Sequence, residues 1–242
     1  MSKSSLAAAM AIAAILLPAA AHAAPGLGSE VYGATVEKGE VEAEAIYGRL
    51  GGGADHGEDG AKFELAYSPT SRLRVAAFTE LEREPHGSRK AEEVGIEAIY
   101  ALGNVGGIDV AVYGEYAAGL NGNSDALETK LLLERRAGKF DARLNLIAQK
   151  PLVKGQKVEL GYAASADYAV AGDFRVGAKA FGELGTFSDF APHAEHFIGP
   201  VASTEIEGIG PEIGVEVGYL FALGKARDDT KGQFRLAIEM EF

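Results

Sequence analysis

The chain has 242 residues, with 23 basic and 35 acidic side chains, no cysteine, 32 glycines and 8 prolines. The acidic balance excludes a nucleic-acid-binding face, which would be basic, and the lack of cysteine excludes disulfide stapling and thiolate metal sites. Mean hydropathy is close to zero, as in a soluble protein, and equally as in a wall whose apolar and charged positions alternate one for one.

Residues 1–23 read as a secretory signal. Lys3 supplies a positive start, Leu6 to Leu17 form a short apolar run, Pro18 breaks it, and Ala21-His22-Ala23 offers a small-x-small cleavage pattern. The run is too short to span a bilayer as a helix, which takes roughly 18 or more apolar residues. Cleavage removes Lys3 and leaves a mature net charge of −13. Residues 24–39 form a glycine-containing lead-in, with a short strand predicted at 31–36 and a turn at Lys38-Gly39. Its role is open among plug, extra strand and loose arm.

From residue 40 to 242 the alternation is nearly continuous. Strands are predicted at 40–50, 61–68, 72–82, 93–102, 108–118, 126–136, 139–149, 157–168, 173–184, 195–203, 209–222 and 233–242. Side chains in a strand alternate faces, so parity assigns two surfaces. One is apolar: Val41, Ala43, Ala45 and Tyr47, then Phe63, Leu65 and Tyr67, and so on to Ile213, Val215, Val217 and Tyr219. The other carries charge: Glu42, Glu44, Glu64, Arg72, Arg74, Glu97, Glu115, Glu128, Lys130, Arg143, Arg175, Lys179, Glu216, Arg235 and Glu239.

A soluble sandwich shows the same alternation with its apolar face inside, so two further features decide. Connectors alternate between short and long, the layout of a barrel with short periplasmic turns and longer extracellular loops. Aromatics stand at strand ends on the apolar parity. Tyr67, Tyr100, Phe140, Tyr168, Phe174 and Phe242 fall at the short-turn end, and Tyr47, Tyr116, Tyr219, Phe221 and Phe234 at the long-loop end. Two outward aromatic belts suit two membrane interfaces. The expected fold is all-β: a single closed antiparallel transmembrane barrel of about twelve strands.

The final segment, Phe234-Arg-Leu-Ala-Ile-Glu-Met-Glu-Phe242, alternates strictly and stops on an aromatic residue. It resembles the C-terminal assembly signature of Gram-negative outer-membrane β-barrels, with Phe242 as the signal read by the barrel-assembly machinery. Within that class, Val36-Glu-Lys-Gly-Glu40 is similar to the opening of a proteobacterial barrel family without assigned activity. The resemblance implies the fold and an outer-membrane location among lipid and lipopolysaccharide. It carries over no catalytic residue.

The charged face is the first candidate for function. Barrels of about eight strands are filled by side chains and those of 16–18 hold an aqueous channel, so twelve falls between. Glu128 and Lys130 are expected to approach Asp141 and Arg143 across neighbouring strands. The leading reading is a narrow porin-like channel for small solutes, neutral or cationic because acids outnumber bases. A track for acidic sugars would want arginines. The alternative is a closed-lumen structural or surface-interaction barrel, which a continuous interior ladder of Glu and Arg would favour. His193 and His196, spaced HxxH in a loop with Asp189 nearby, are weak metal candidates against simple loop polarity. Ser88 near His86, and Ser188 near His193, form no organised triad, and an enzyme is not expected. Nothing in the sequence asks for a cofactor.

Overall fold

The computed structural model describes residues 25–206, 208 and 210–242; the expected signal at 1–23 lies outside them. Twelve long antiparallel strands make the wall: β1 (Val41–Gly51), β2 (Asp59–Thr70), β3 (Leu73–Arg83), β4 (Lys90–Val105), β5 (Ile108–Gly119), β6 (Ala126–Ala137), β7 (Phe140–Pro151), β8 (Glu159–Ala171), β9 (Phe174–Thr186), β11 (Glu195–Ile206), β12 (Glu212–Gly224) and β13 (Gly232–Glu241). A two-residue β10 (Asp189–Phe190) folds back on β9 within a loop. Each wall strand pairs with its chain neighbour, and β13 returns to pair with β1 from Gly51↔Gly232 to Glu42↔Glu241. The sheet is a closed barrel. Closure matters because an unpaired edge in lipid would leave backbone groups without partners, at several kcal/mol each.

The loops between β2 and β3, β4 and β5, β6 and β7, β8 and β9, and β11 and β12 gather at one end with the carboxyl terminus. The longer ones gather at the other. The predicted strands agree with the wall to within a few residues, because period-two alternation holds wherever one face meets lipid and the other does not.

The outer surface is apolar. Leu65, Ile96, Leu131, Leu146 and Phe221, all on the apolar parity, are exposed, as are all six aromatics of the short-turn belt. The inner surface departs from a purely charged lumen. Ile46, Leu50, Phe78, Ile99, Tyr113, Leu132, Phe181, Phe197 and Leu220 stand on the same inward parity as the glutamates and arginines, and all are buried.

The reason is the lead-in. Residues 25–37 run through the barrel without strand pairing, turning at 25–28, and not as the strand expected at 31–36. At the long-loop end the Gln233 side-chain amide donates to the Pro25 carbonyl at 2.8 Å. At the short-turn end Lys38-Gly39 reverses the chain into β1, with the Gly39 N–H donating to the Ser68 carbonyl at 2.8 Å. Between these points Leu27 and Val31 join Leu50, Phe181, Phe197 and Leu220 in one apolar cluster. Tyr32 and Ala34 join Ile99, Tyr113 and Leu132 in a second. The lead-in is a plug threaded along the lumen.

Candidate functional site: a plugged lumen

The upper part of the plug needs a wall without side chains. Gly48 and Gly60 are register partners on β1 and β2. A Cβ on Gly48 would lie 2.3 Å from the Leu27 carbonyl oxygen and 2.9 Å from its Cα; one on Gly60 would lie 3.2 Å from the Leu27 Cβ. The two glycines form a slot through which the plug backbone passes, the close-approach role that glycine has in a strand interior. The Arg235 guanidinium donates to the Ser29 carbonyl and lies 4.6 Å from the Phe181 ring centre.

At mid-height the plug meets the charged wall. The Asn145 side chain, fully buried, clamps one plug residue at both backbone positions. Its oxygen accepts from the Tyr32 N–H at 2.8 Å and its nitrogen donates to the Tyr32 carbonyl at 2.9 Å. The Tyr32 hydroxyl donates to Glu97 Oε2 at 2.9 Å and accepts from Lys62 Nζ at 2.6 Å. Below it the Ala34 N–H donates to Glu134 Oε2 at 2.8 Å, and Arg143 and Arg136 hold the other oxygen of that carboxylate at 3.3 Å and 2.8 Å.

The wall charges form a ladder across β1 to β4. Arg74 bridges Glu42 at 2.8 Å, Glu64 at 2.6 Å and Glu97 at 3.3 Å, while Lys62 bridges Glu64 at 2.8 Å and Glu97 at 2.9 Å. Removing one member of such a buried set would strand its partners, at about 3–5 kcal/mol. On the far side Lys179 pairs with Glu216 at 2.7 Å, and Arg175 pairs with Asp167. At the long-loop end buried Asp59 holds Arg83 and Arg89, while loop 225–231 folds over toward Gly51 through the Lys231 N–H to Gly51 carbonyl bond of 3.0 Å.

Not every expected lumen residue is there. Arg72 is exposed in the turn after β2, where its N–H and that of Leu73 donate to the Thr70 hydroxyl; the turn, not the strand, claims it. The expected approach of Glu128 and Lys130 to Asp141 and Arg143 does not occur. Register places Glu128 opposite Gln149 and Lys130 opposite Ile147, whereas Asp141 and Arg143 face Arg136 and Glu134 lower on the wall. Glu128 instead bridges Lys130 on its own strand at 2.9 Å. Glu115 stands opposite Glu128, and Glu44 stands between Glu64 and Glu239, so carboxylates also meet one another inside.

His193 and His196 part company. His193 is exposed in its loop, whereas His196 lies on the outward parity of β11. Its ring sits over Gly182 and stacks on Tyr162 at 5.9 Å between centres. Among the described residues no group of three or more His, Cys, Asp or Glu is placed to hold a metal ion. Sequence parity places Lys62 and Glu134 on the charged face, where they are found, but gives no sign of Tyr32, Tyr113 and Asn145 as site residues. For Tyr113 a signal was present: it stands among aromatic and large apolar residues on the charged parity, which a water-filled lumen would not need.

No protein-family model matches the chain, and no curated protein matches it. Solved structures do resemble it. The chain is similar to the KdgM porin at 11% identity and a TM-score of 0.58, over 83% of this chain and 99% of that one. It is similar to the NanC porin at 11% identity and 0.56, over 84% and 98%. It is also similar to the COG4313 outer membrane channel from Pseudomonas putida F1, at 11% identity and 0.63, over 86% and 97%. At these identities the likeness is one of fold: the chain has the closed twelve-stranded architecture of outer-membrane porins.

Proposed function

We propose that this protein is an outer-membrane channel for small neutral or cationic solutes, held shut by its own N-terminal segment. The observation that carries this reading is the threaded plug. An extended chain with its side chains occupies about 5 by 10 Å in cross-section, from strand and sheet spacings. The plug therefore fills a bore of that size, and withdrawing it would leave a passage for small solutes. Carboxylates outnumber cations on the wall, which disfavours anions. One KdgM structure is a complex with disordered oligogalacturonate; a polyanion of that kind would meet Glu42, Glu44, Glu64 and Glu239 here.

Two variants of the full chain test this. Deleting residues 25–36 should raise planar-bilayer conductance well above that of the parent, with cations favoured. A Leu27→Cys and Gly60→Cys pair, whose Cβ atoms would lie 3.2 Å apart, is close to disulfide geometry, and the chain has no other cysteine. The oxidised form should stay closed. A deletion variant that folds, shown by heat-modifiable migration, yet does not conduct would favour the closed structural barrel, which the wall ladder also supports.

A further inference from the structure

The geometry points to a subsite in the lumen for a neutral hydroxy-aromatic ring, occupied here by Tyr32 of the plug. The inference deepens the channel reading and rests on it for its biological sense, because it names a solute class that would compete with the plug.

The Tyr32 ring is held on all its recognisable features, and the groups that hold it belong to the wall. Lys130 Nζ stands 4.5 Å from the ring centre, within cation–π range, while Lys62 Nζ, 5.3 Å from the centre and 2.6 Å from the hydroxyl oxygen, lies beyond the hydroxyl end of the ring. The Tyr113 ring packs beside it at 4.9 Å, tilted by 38°, a separation within the range of aromatic pairs. The hydroxyl is matched in both of its capacities, as acceptor from Lys62 and donor to Glu97. Tyr113 also donates to Glu97 Oε2, at 2.8 Å, so the acceptor oxygen is fixed in place from a second side. The ladder through Arg74 and Glu64 holds Lys62 and Glu97 independently of Tyr32. The slot is built into the wall and does not depend on the plug to organise it.

The same groups select among ligands. Lys130 over the ring and Lys62 at its hydroxyl end disfavour a cationic aromatic. A carboxylate in place of the hydroxyl would be pressed against Glu97. A ring without a hydroxyl would cost Lys62 and Glu97 one hydrogen bond each in a buried site, although their ladder partners remain, and polar sites reject analogues lacking one group in this way. A phenol satisfies all of these conditions, as Tyr32 does.

The test uses the full chain carrying Tyr32→Gly, refolded in detergent and titrated with p-cresol and with toluene by calorimetry, with thermal midpoint as a second readout. p-Cresol should bind saturably and raise the midpoint, and toluene should bind about tenfold more weakly or worse, the loss set by the charged hydrogen bonds. Adding Glu97→Gln should erase most of that difference. Equal binding of the two compounds, or p-cresol binding no better to Tyr32→Gly than to the parent, would overturn the subsite. If Tyr32→Gly does not fold, hydrogen exchange of the Tyr32 amide in the parent serves instead. p-Cresol but not toluene should speed it, and no effect of either would refute the proposal. Neither readout needs conductance: binding without conduction in the plug deletion would remove the channel and leave the subsite, and the reverse result would remove the subsite alone.

Discussion

Replacing Gly48 by Ala should open the channel without touching a charge. The added Cβ would sit 2.3 Å from the Leu27 carbonyl oxygen and 2.9 Å from its Cα, both backbone atoms that no side-chain rotation can move aside. Gly48 lies in a wall strand paired on both sides, to Gly60 and to Arg235, so the plug must give way before the wall does. Inserting a methyl group into a packed site costs about 1–3 kcal/mol. Because the cost falls on the plugged state and not on the unplugged one, the ratio of open to closed should rise by about five- to 150-fold. Open probability in planar bilayers and solute-driven swelling of proteoliposomes both read this ratio. Gly114→Ala is the matched control: it lies on the outward parity of β5 with nothing within 4 Å of its would-be Cβ, and should change nothing. If Gly48→Ala folds, shows normal heat-modifiability and stays as closed as the parent, the plug is not the barrier and the reasoning fails.

Asn145→Leu should loosen the plug, because it removes two hydrogen bonds to the Tyr32 backbone and buries both freed groups, at about 1–3 kcal/mol; hydrogen exchange of the Tyr32 amide checks this against an unchanged wall. Pro25 lies at the long-loop end beside Gln233, so Pro25→Cys should react with a membrane-impermeant maleimide added outside intact cells, and labelling only after outer-membrane disruption would reverse the assigned sidedness. In the loop after β1, burial and then the nearby Asp229 carboxylate raise the Asp55 pKa. A raised folded-state value means that the loop contact is most stable below the unfolded value of about 3.9 and weakens as pH rises through the folded one. The Asp55 amide, which donates to the Asp229 carbonyl at 3.1 Å, should gain protection relative to the unstructured rate as pH falls from neutral toward about 4. Removing Phe242, exposed in the short-turn aromatic belt with its N–H on the Val41 carbonyl at 2.9 Å, should lower membrane insertion in an assembly assay while leaving solute preference as it was.

The wall was legible because lipid imposes a rule on every strand. Leu65, Ile96 and Leu131 must face out, so parity read along the chain recovers both the strands and the sidedness of each residue. The plug obeys no such rule. Pro25 to Val36 has no ladder partner, and its fixings reach residues 30 to 208 positions away, from Tyr32 to Lys62 up to Pro25 to Gln233. No local pattern encodes contacts of that range. Two indirect signs were nevertheless in the sequence. Phe181, Phe197, Leu132 and Leu50 stand on the charged parity, where an aqueous lumen would gain nothing from them. Gly48 interrupts a predicted strand on the charged parity, where glycine otherwise weakens a strand, although Gly60 fell just outside the strand expected at 61–68 and only the fold makes it the register partner of Gly48. Both signs say that something packs inside. Arg72 misled for the opposite reason: parity was extended one residue into a turn whose geometry Thr70 sets.

The charges inside the barrel then have two consistent sets of partners. With the plug seated, the Tyr32 hydroxyl satisfies Lys62 and Glu97, the Ala34 N–H satisfies Glu134, and the Ser29 carbonyl accepts a hydrogen bond from Arg235. With the plug withdrawn, water would hydrate the same groups, and the Arg74 ladder would keep them in place. Exchanging one set of hydrogen bonds for another is close to neutral. The balance is therefore left to burial of Leu27 and Val31, worth about 1.5–3 kcal/mol each, and of Tyr32 and Ala34, set against the chain entropy regained by a released segment. Opposing contributions of this kind make a two-state element that a small differential interaction can bias. A wall lined only with apolar residues would have held the plug permanently, and one lined only with charges would have given it nothing to grip. On the proposed channel reading, the mixed parity of this barrel suits a gate that closes and can be reopened.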